Sequence, residues 1–363
     1  MAKTQAEAPQ AGTPVKNLFA EGHRPNVPFR SIPMLRCAES AQAATPLAED
    51  VENHLAGGSV AAFDPIARPA TADRGRILWG YATAVVGFHL LLPLAFVPWL
   101  FSWTGLLLIP LGNYIFCSLG IGGGFHRLLT HRSYRCPLWF EHLLALLGVC
   151  SLQDSPARWV MVHRMHHQHS DRQPDPHSPL VTFFWGHVGW LLVENRQLSK
   201  LDTYERYARD ILRDPFYLRL ARGHLWIWIY VAHAFLFYLA GTAIGWATTG
   251  TYMGGVRFGL SLLLYGVIFR TIYTWHVTWA VNSVTHLWGY RNYDTDENSR
   301  NNWIFALATN GDGWHNNHHA YPRCAAHGFH RWWELDVTYL TIRLLEKVGL
   351  VYDVIPRRRQ MTG

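Results

Sequence analysis

Cysteine is scarce and unpaired in this chain. Its five residues, Cys37, Cys117, Cys136, Cys150 and Cys324, fall in no C-x-x-C spacing. They read as reduced, separate thiols of a cytosol-facing protein, which argues against a zinc finger. No Lys/Arg cluster of the nucleic-acid-binding kind occurs either. The net charge of +7 comes from basic residues scattered beside apolar runs. That pattern points to anionic lipid and away from nucleic acid. H-E-x-x-H is missing, which argues against a zinc protease. Neither a haem-type HPGG motif nor a ferredoxin-type C-x4-C-x2-C pattern is present. The N-terminus shows no charged-then-apolar leader. Residues 1 to about 70, rich in Ala, Pro and polar groups without a periodic apolar face, read as a disordered tail. The acids Glu7, Glu21 and Glu39 speak against a transit peptide.

Formal charge is also missing from long stretches. Residues 77–100, 103–125 and 225–256 hold no Asp, Glu, Lys or Arg, and residues 258–290 hold only Arg270. About 20 such residues, at 1.5 Å per residue, cross roughly 30 Å of hydrocarbon. The four runs therefore predict two transmembrane hairpins, with short turns at 98–102 and 248–255. The segment 127–224 between the second and third spans carries 13 Arg and Lys. Basic loops stay inside, so both termini and this segment are expected in the cytosol. A shorter apolar stretch, 138–152, includes Glu141 and His142 and reads as an interfacial helix. No repeat or Gly/Ser linker divides residues 76–355, which read as one membrane domain.

What is plentiful is histidine, 21 residues, with aromatic residues at 14%. Three clusters stand out: HRLLTH with His126 and His131, HRMHH with His163, His166 and His167, and HNNHH with His315, His318 and His319. In the last two, positions i, i+3 and i+4 share one helical face. His126 and His131 would stand about 140° apart on an ideal helix, so they serve different metals or the helix ends between them. All eight lie on segments expected on one side of the bilayer, where they can converge. Imidazole suits iron, copper, zinc and nickel alike, and eight ligands are enough for two metals. Asp154, Asp171, Asp175 and Asp312 are local candidates to orient ligands through the second ring nitrogen. His169 and His177 read as outer or surface residues. His89, His142, His187, His224, His233 and His276 read as ordinary packed or polar histidines.

The clusters and their surroundings resemble the membrane fatty-acyl desaturases of the stearoyl delta-9 type. The likeness extends to NSVTH at 282–286 followed by LWGYRNYDT, to SDRQPDPH and GHVGWLL after the second cluster, and to GDGWHNNHHAYP around the third. It covers about residues 76–355. The resemblance implies an all-α, mushroom-like integral membrane fold: four transmembrane helices under a cytosolic helical cap holding a di-iron site. It adds His286 to the ligands of two iron ions, and gives Asn282 a contact to one iron through water. Gln153, Thr278 and Trp279 match residues that bend the acyl chain, although packing at the membrane interface accounts for them equally well. Arg270, 16 residues before His286, would sit roughly 24 Å away near the opposite interface, as a structural residue able to snorkel. Met161 and Val162 before His163, and Asp154 after Gln153, stand where acyl-CoA enzymes of the family carry polar or charged groups. They complement CoA poorly and resemble the bacterial and cyanobacterial branch, so the carrier is CoA or lipid.

The reaction this implies is insertion of a cis double bond, at delta-9, into a saturated acyl chain. Removing hydrogen from a methylene is beyond any side chain, so iron and dioxygen carry it while the protein positions the chain. The electrons come from a separate ferredoxin or cytochrome-type donor. A membrane di-iron hydroxylase or ketolase is the rival. A metal transporter fits less well, because its site would lie at the bilayer midplane.

Overall fold

The computed structural model describes residues 64–356; the tail expected over residues 1 to about 70 lies, up to residue 63, outside them. Four helices are long and apolar enough to cross a bilayer: α1 (Trp79–Phe96), α2 (Trp103–Thr130), α7 (Leu225–Thr249) and α8 (Tyr252–His286). They match the four apolar runs of the sequence, and the chain is an integral membrane protein. Side chains such as Leu90 and Phe96 on α1, and Trp228, Phe235 and Leu236 on α7, are exposed. So much open apolar surface is stable against lipid and not against water.

Local chemistry sets the helix ends. Ser102 accepts the Gly105 N–H (3.0 Å) to open α2, and Thr251 accepts the Gly254 N–H (3.0 Å) to open α8. Gly250, at φ 67°, ends α7 in the left-handed conformation and makes the tight turn into α8. Further helices include α3 (Leu138–Val149), α4 (Pro156–His169), α5 (Leu201–Leu212), α6 (Pro215–Ala221), α9 (Trp303–Ala308), α10 (His315–Ala320) and α11 (Val337–Lys347). A two-stranded antiparallel sheet joins β1 (Ala72–Ile77) to β2 (Val193–Asn195).

The first apolar core lies where α2 meets α3 and α4: Ile121, Phe125 and Leu129 pack with Ala145, Val149, Ala157 and Val160. The expected interfacial helix is α3. Its Phe140, Leu144 and Gly148 are buried, whereas Trp139 and Leu143 are exposed. A second core packs Met161, Val162 and Met165 of α4 on Leu198, Tyr207 and Ala208. Met161 and Val162 are thus interior residues. Their apolar character therefore serves the packing of α4 and does not bear on the acyl carrier.

Arg270 also departs from expectation. It does not snorkel to an interface; it is fully buried within α8. Its guanidinium donates to Gly266 O (3.1 Å) and Cys150 O (3.0 Å) and lies 4.3 Å from the Phe116 ring. Cys150 closes α3, so a cation placed there meets the negative end of that helix and leaves less need for an acidic partner.

Candidate metal centre

Four separate stretches bring nine imidazoles together. The first group is His126, His131, His163, His167 and His318; the second is His166, His286, His315 and His319. Each H-x-x-H-H cluster is therefore shared. On α4, His163 and His167 turn to the first group and His166 to the second, and α10 contributes His318 to the first with His315 and His319 to the second. The groups adjoin, because the rings of His167 and His319 stack at 4.4 Å.

His126 and His131 fall in one group, not two. The final turns of α2 are wide, closed by bonds five residues apart such as His131 N–H to His126 O (3.1 Å), and the helix ends at Thr130. Such turns set residues five apart nearly over one another, which an α-helix would not, and they recur at functional sites. The two rings lie 5.0 Å apart.

The nitrogens face each other across gaps that a cation would reconcile. Nε2 of His126 lies 3.0 Å from Nε2 of His318, which lies 2.9 Å from Nε2 of His167. In the second group, Nε2 of His315 stands 3.0 Å from that of His286 and 3.1 Å from that of His319. Outside the ring of imidazoles stand carboxylates. Asp171 takes Nδ1 of His286 at 2.8 Å, and Asp175 takes Nδ1 of His166 at 3.0 Å. Asp312 lies 3.6 Å from Nδ1 of His126, and Glu297 3.6 Å from Nδ1 of His319. An outer carboxylate holds the proton on Nδ1 and leaves the Nε2 lone pair pointing inward. Among the described residues, the buried Nε2 atoms of His131 and His166 find no hydrogen-bond partner. Five lone pairs in one group and four in the other fit a pair of imidazole-bound metals.

At six of the nine imidazoles, protonation favours the same state. Burial first, and then neighbouring imidazoles, push His131, His163, His167, His315, His318 and His319 well below the ordinary 6.5. They stay neutral at physiological pH, the form in which imidazole binds metal.

Of the four carboxylates singled out in the sequence, Asp171, Asp175 and Asp312 back the imidazoles. Asp154 does not: it binds the Tyr81 hydroxyl and Arg158. His177 is buried with its ring 4.3 Å from that of His166, and His169 contacts the Tyr207 hydroxyl at 3.4 Å. Three supports were not visible in the sequence. His327 lies 3.2 Å from Asp312, Glu297 backs the second group, and Arg127 pairs with Asp312 (3.1 Å) and Asp336 (3.0 Å). Arg127 lies within HRLLTH, whereas His327 and Glu297 lie outside the quoted motifs; Gly311, beside Asp312, adopts a positive φ of 134°. A Cβ there would stand 2.2 Å from Asp336 and 3.1 Å from Arg127, so the Gly-Asp-Gly turn needs glycine where it does.

Asn282 stands four residues before His286 on α8. Gln153 donates to the Thr278 hydroxyl at 3.0 Å, and Cys117 lies 3.8 Å from that hydroxyl. Trp279 is buried, stacks on Trp275 at 5.6 Å and lines an open pocket of about 300 Å³ with Val85, Val86, Leu90, His89 and His276. Among the other histidines, His89, His276 and His187 form a chain, with contacts of 2.9 and 3.0 Å, ending at Ser283 (2.9 Å). His142 pairs with Asp214, and His233 packs between Phe116 and Phe237.

The family model described as fatty acid desaturase matches residues 98–342. An sn-2 palmitoyl-lipid 9-desaturase of Nostoc sp. (strain 36) is 40% identical, covering 79% of this chain and 93% of that protein. An sn-1 stearoyl-lipid 9-desaturase of Anabaena variabilis is 39% identical, covering 78% and 96%. An acyl-CoA 5-desaturase of Anemone leveillei is 38% identical, covering 74% and 77%. Matches of this extent, spanning all three histidine clusters, place the chain in the fatty acid desaturase family.

Proposed function

We propose that this fatty-acyl desaturase, an oxygen-dependent oxidoreductase, introduces a cis double bond at delta-9 of a saturated chain esterified to a membrane lipid. The convergence of nine inward-facing imidazoles in two adjoining groups carries the reading. The ligands are His126, His131, His163, His167 and His318 for one iron, and His166, His286, His315 and His319 for the other, with Asn282 reaching the second through water. Two irons bound there would supply the oxygen activation and hydrogen removal that no side chain performs.

The chain's own residues do the rest. Asp171, Asp175, Asp312 and Glu297 hold the imidazoles in the metal-binding tautomer. Gln153, Thr278 and Trp279 line the acyl path and hold one carbon pair toward the centre, in a site dry enough to spare the reacting carbon from water. The cap and both termini face the cytosol, which the 13 Arg and Lys of residues 127–224 support. A separate ferredoxin or cytochrome-type protein delivers two electrons at the cap. The lipid carrier rests on relatives named for lipid-bound substrates; an acyl-CoA relative of similar identity makes CoA the alternative.

Expression in cells lacking unsaturated fats, with mass-spectrometric mapping of their acyl chains, tests this. A delta-9 alkene is expected, on glycerolipid more than on CoA after a short pulse. His163→Ala and His318→Ala should each lose both iron and alkene. An alcohol as the product, or an active His318→Ala enzyme, would refute the assignment.

A further inference from the structure

The turn that carries Gln153 is held in a manner that packing alone does not require. Leu152 and Asp154, on either side of it, both adopt positive φ, 52° and 78°. Leucine rarely takes that conformation, which aspartate tolerates better, and two such residues within three persist where the surroundings enforce them. Here the surroundings are explicit. From α8, Arg270 donates to Cys150 O (3.0 Å), Trp275 Nε1 to Ser151 O and Leu152 O (3.1 Å each), and Thr278 receives the Gln153 amide (3.0 Å). From the other side, Asp154 accepts the Ser155 N–H (2.8 Å) and pairs with Arg158 Nε (3.0 Å) and with the Tyr81 hydroxyl of α1. Arg158 is itself fixed by Leu198 O (3.1 Å). Five consecutive residues, 150–154, are each tied to another part of the fold.

We infer that this turn is a template for the acyl chain, and that Asp154, clamped between Tyr81 and Arg158, is a positioning residue that sets which carbon pair meets the metal centre. The inference rests on the reading of Gln153 and Thr278 as tunnel residues. Its logic is mechanical. Thr278 lies eight residues before His286, roughly 12 Å along α8, so the Gln153–Thr278 bridge is at a set height below the irons. α4, which carries His163, His166 and His167, starts at Pro156 directly after the clamp. The clamp therefore ties the bend in the substrate path to three metal ligands through one short, strained segment. Releasing Asp154 lets the turn relax out of the left-handed region and moves Gln153 relative to the irons. A displacement of about 1 Å is enough to cost roughly a hundredfold in a positioned reaction. The role here is selection between neighbouring carbons and not chemistry, so a loosened turn should spread the product over positions and not abolish it.

Three variants test this in the full-length enzyme. Asp154→Asn keeps a residue that tolerates positive φ but removes the charge from Arg158. Tyr81→Phe deletes one hydroxyl from the clamp, and Asp154→Ala removes clamp and tolerance together. The readouts are double-bond position by mass spectrometry, iron content and thermal stability. The ratio of neighbouring isomers to the wild-type product should rise about tenfold in Asp154→Asn and Tyr81→Phe, and further in Asp154→Ala, with iron retained in all three. An unchanged isomer ratio in Tyr81→Phe and Asp154→Asn, with iron bound and alkene formed, would overturn the inference. Absence of any alkene from the wild type would instead refute the proposed function.

Discussion

Replacing Asp171 with Asn should weaken iron binding by about tenfold to a hundredfold without unfolding the protein. Asp171 Oδ2 takes two N–H groups, His286 Nδ1 and the Asn298 backbone, each at 2.8 Å, and Oδ1 accepts the Ser178 hydroxyl at 2.7 Å. Asparagine can keep its oxygen on the two N–H donors and turn its NH2 toward Ser178, whose hydroxyl rotates to accept. Geometry is then preserved and only charge is lost. Hydrogen bonds to charged groups contribute about 1.5–3 kcal/mol against about 0.5–1.5 for neutral ones. Two weakened bonds thus cost about 1–3 kcal/mol, in line with that loss of affinity. Asp171→Ala should be worse, because His286 is then free to move its proton to Nε2 and turn an N–H toward the metal. The assay is iron retained against a graded chelator challenge, measured per folded protein, with alkene yield in parallel. Wild-type iron retention in both variants would refute the argument that the outer carboxylate sets the tautomer.

Gly120→Ala should destabilise the contact between α2 and α3, since the new Cβ would stand 2.3 Å from Gly148 N and 2.6 Å from Leu147 C. Backbone cannot yield cheaply, so a cost of about 1–3 kcal/mol and a lower melting temperature in detergent are expected; an unchanged melting curve counts against the crossing. Asp210 should contribute an acid-sensitive term. Burial raises its pKa, but Arg164 and Arg132 outweigh burial and bring it from the ordinary 3.8 down to about 2. A depressed carboxylate stabilises above its unfolded value and loses that contribution as pH falls through the folded one. The wild-type minus Asp210→Asn stability difference should therefore be flat above about pH 4 and shrink toward pH 2, modestly, because the pair is partly solvated. A difference independent of pH would remove the ion pair from the account.

Much of this architecture could be read before any coordinates. Stretches of more than about 20 residues almost without charge are long and apolar enough to span a bilayer, so the four-helix plan follows from composition. The i, i+3, i+4 clusters likewise impose one histidine-bearing face on α4 and α10. Arg270 shows where such reading stops: distance along a helix put it near an interface, but the α3 terminus and Phe116 surround it inside the bundle. Met161 and Val162 likewise owe their burial to α5 and the loop before it, which no local pattern announces.

The sequence by itself determined the number of spans, the imidazole-rich chemistry and the family, because hydrophobicity, ligand type and motif spacing are local properties. Only the tertiary structure decided how nine rings divide into two groups, which carboxylate backs which ring, and what holds Gln153. Those depend on helix ends, wide turns and contacts between residues as much as two hundred positions apart or more, such as Arg127 with Asp336. No periodicity encodes a meeting at that range; it is settled when the chain packs.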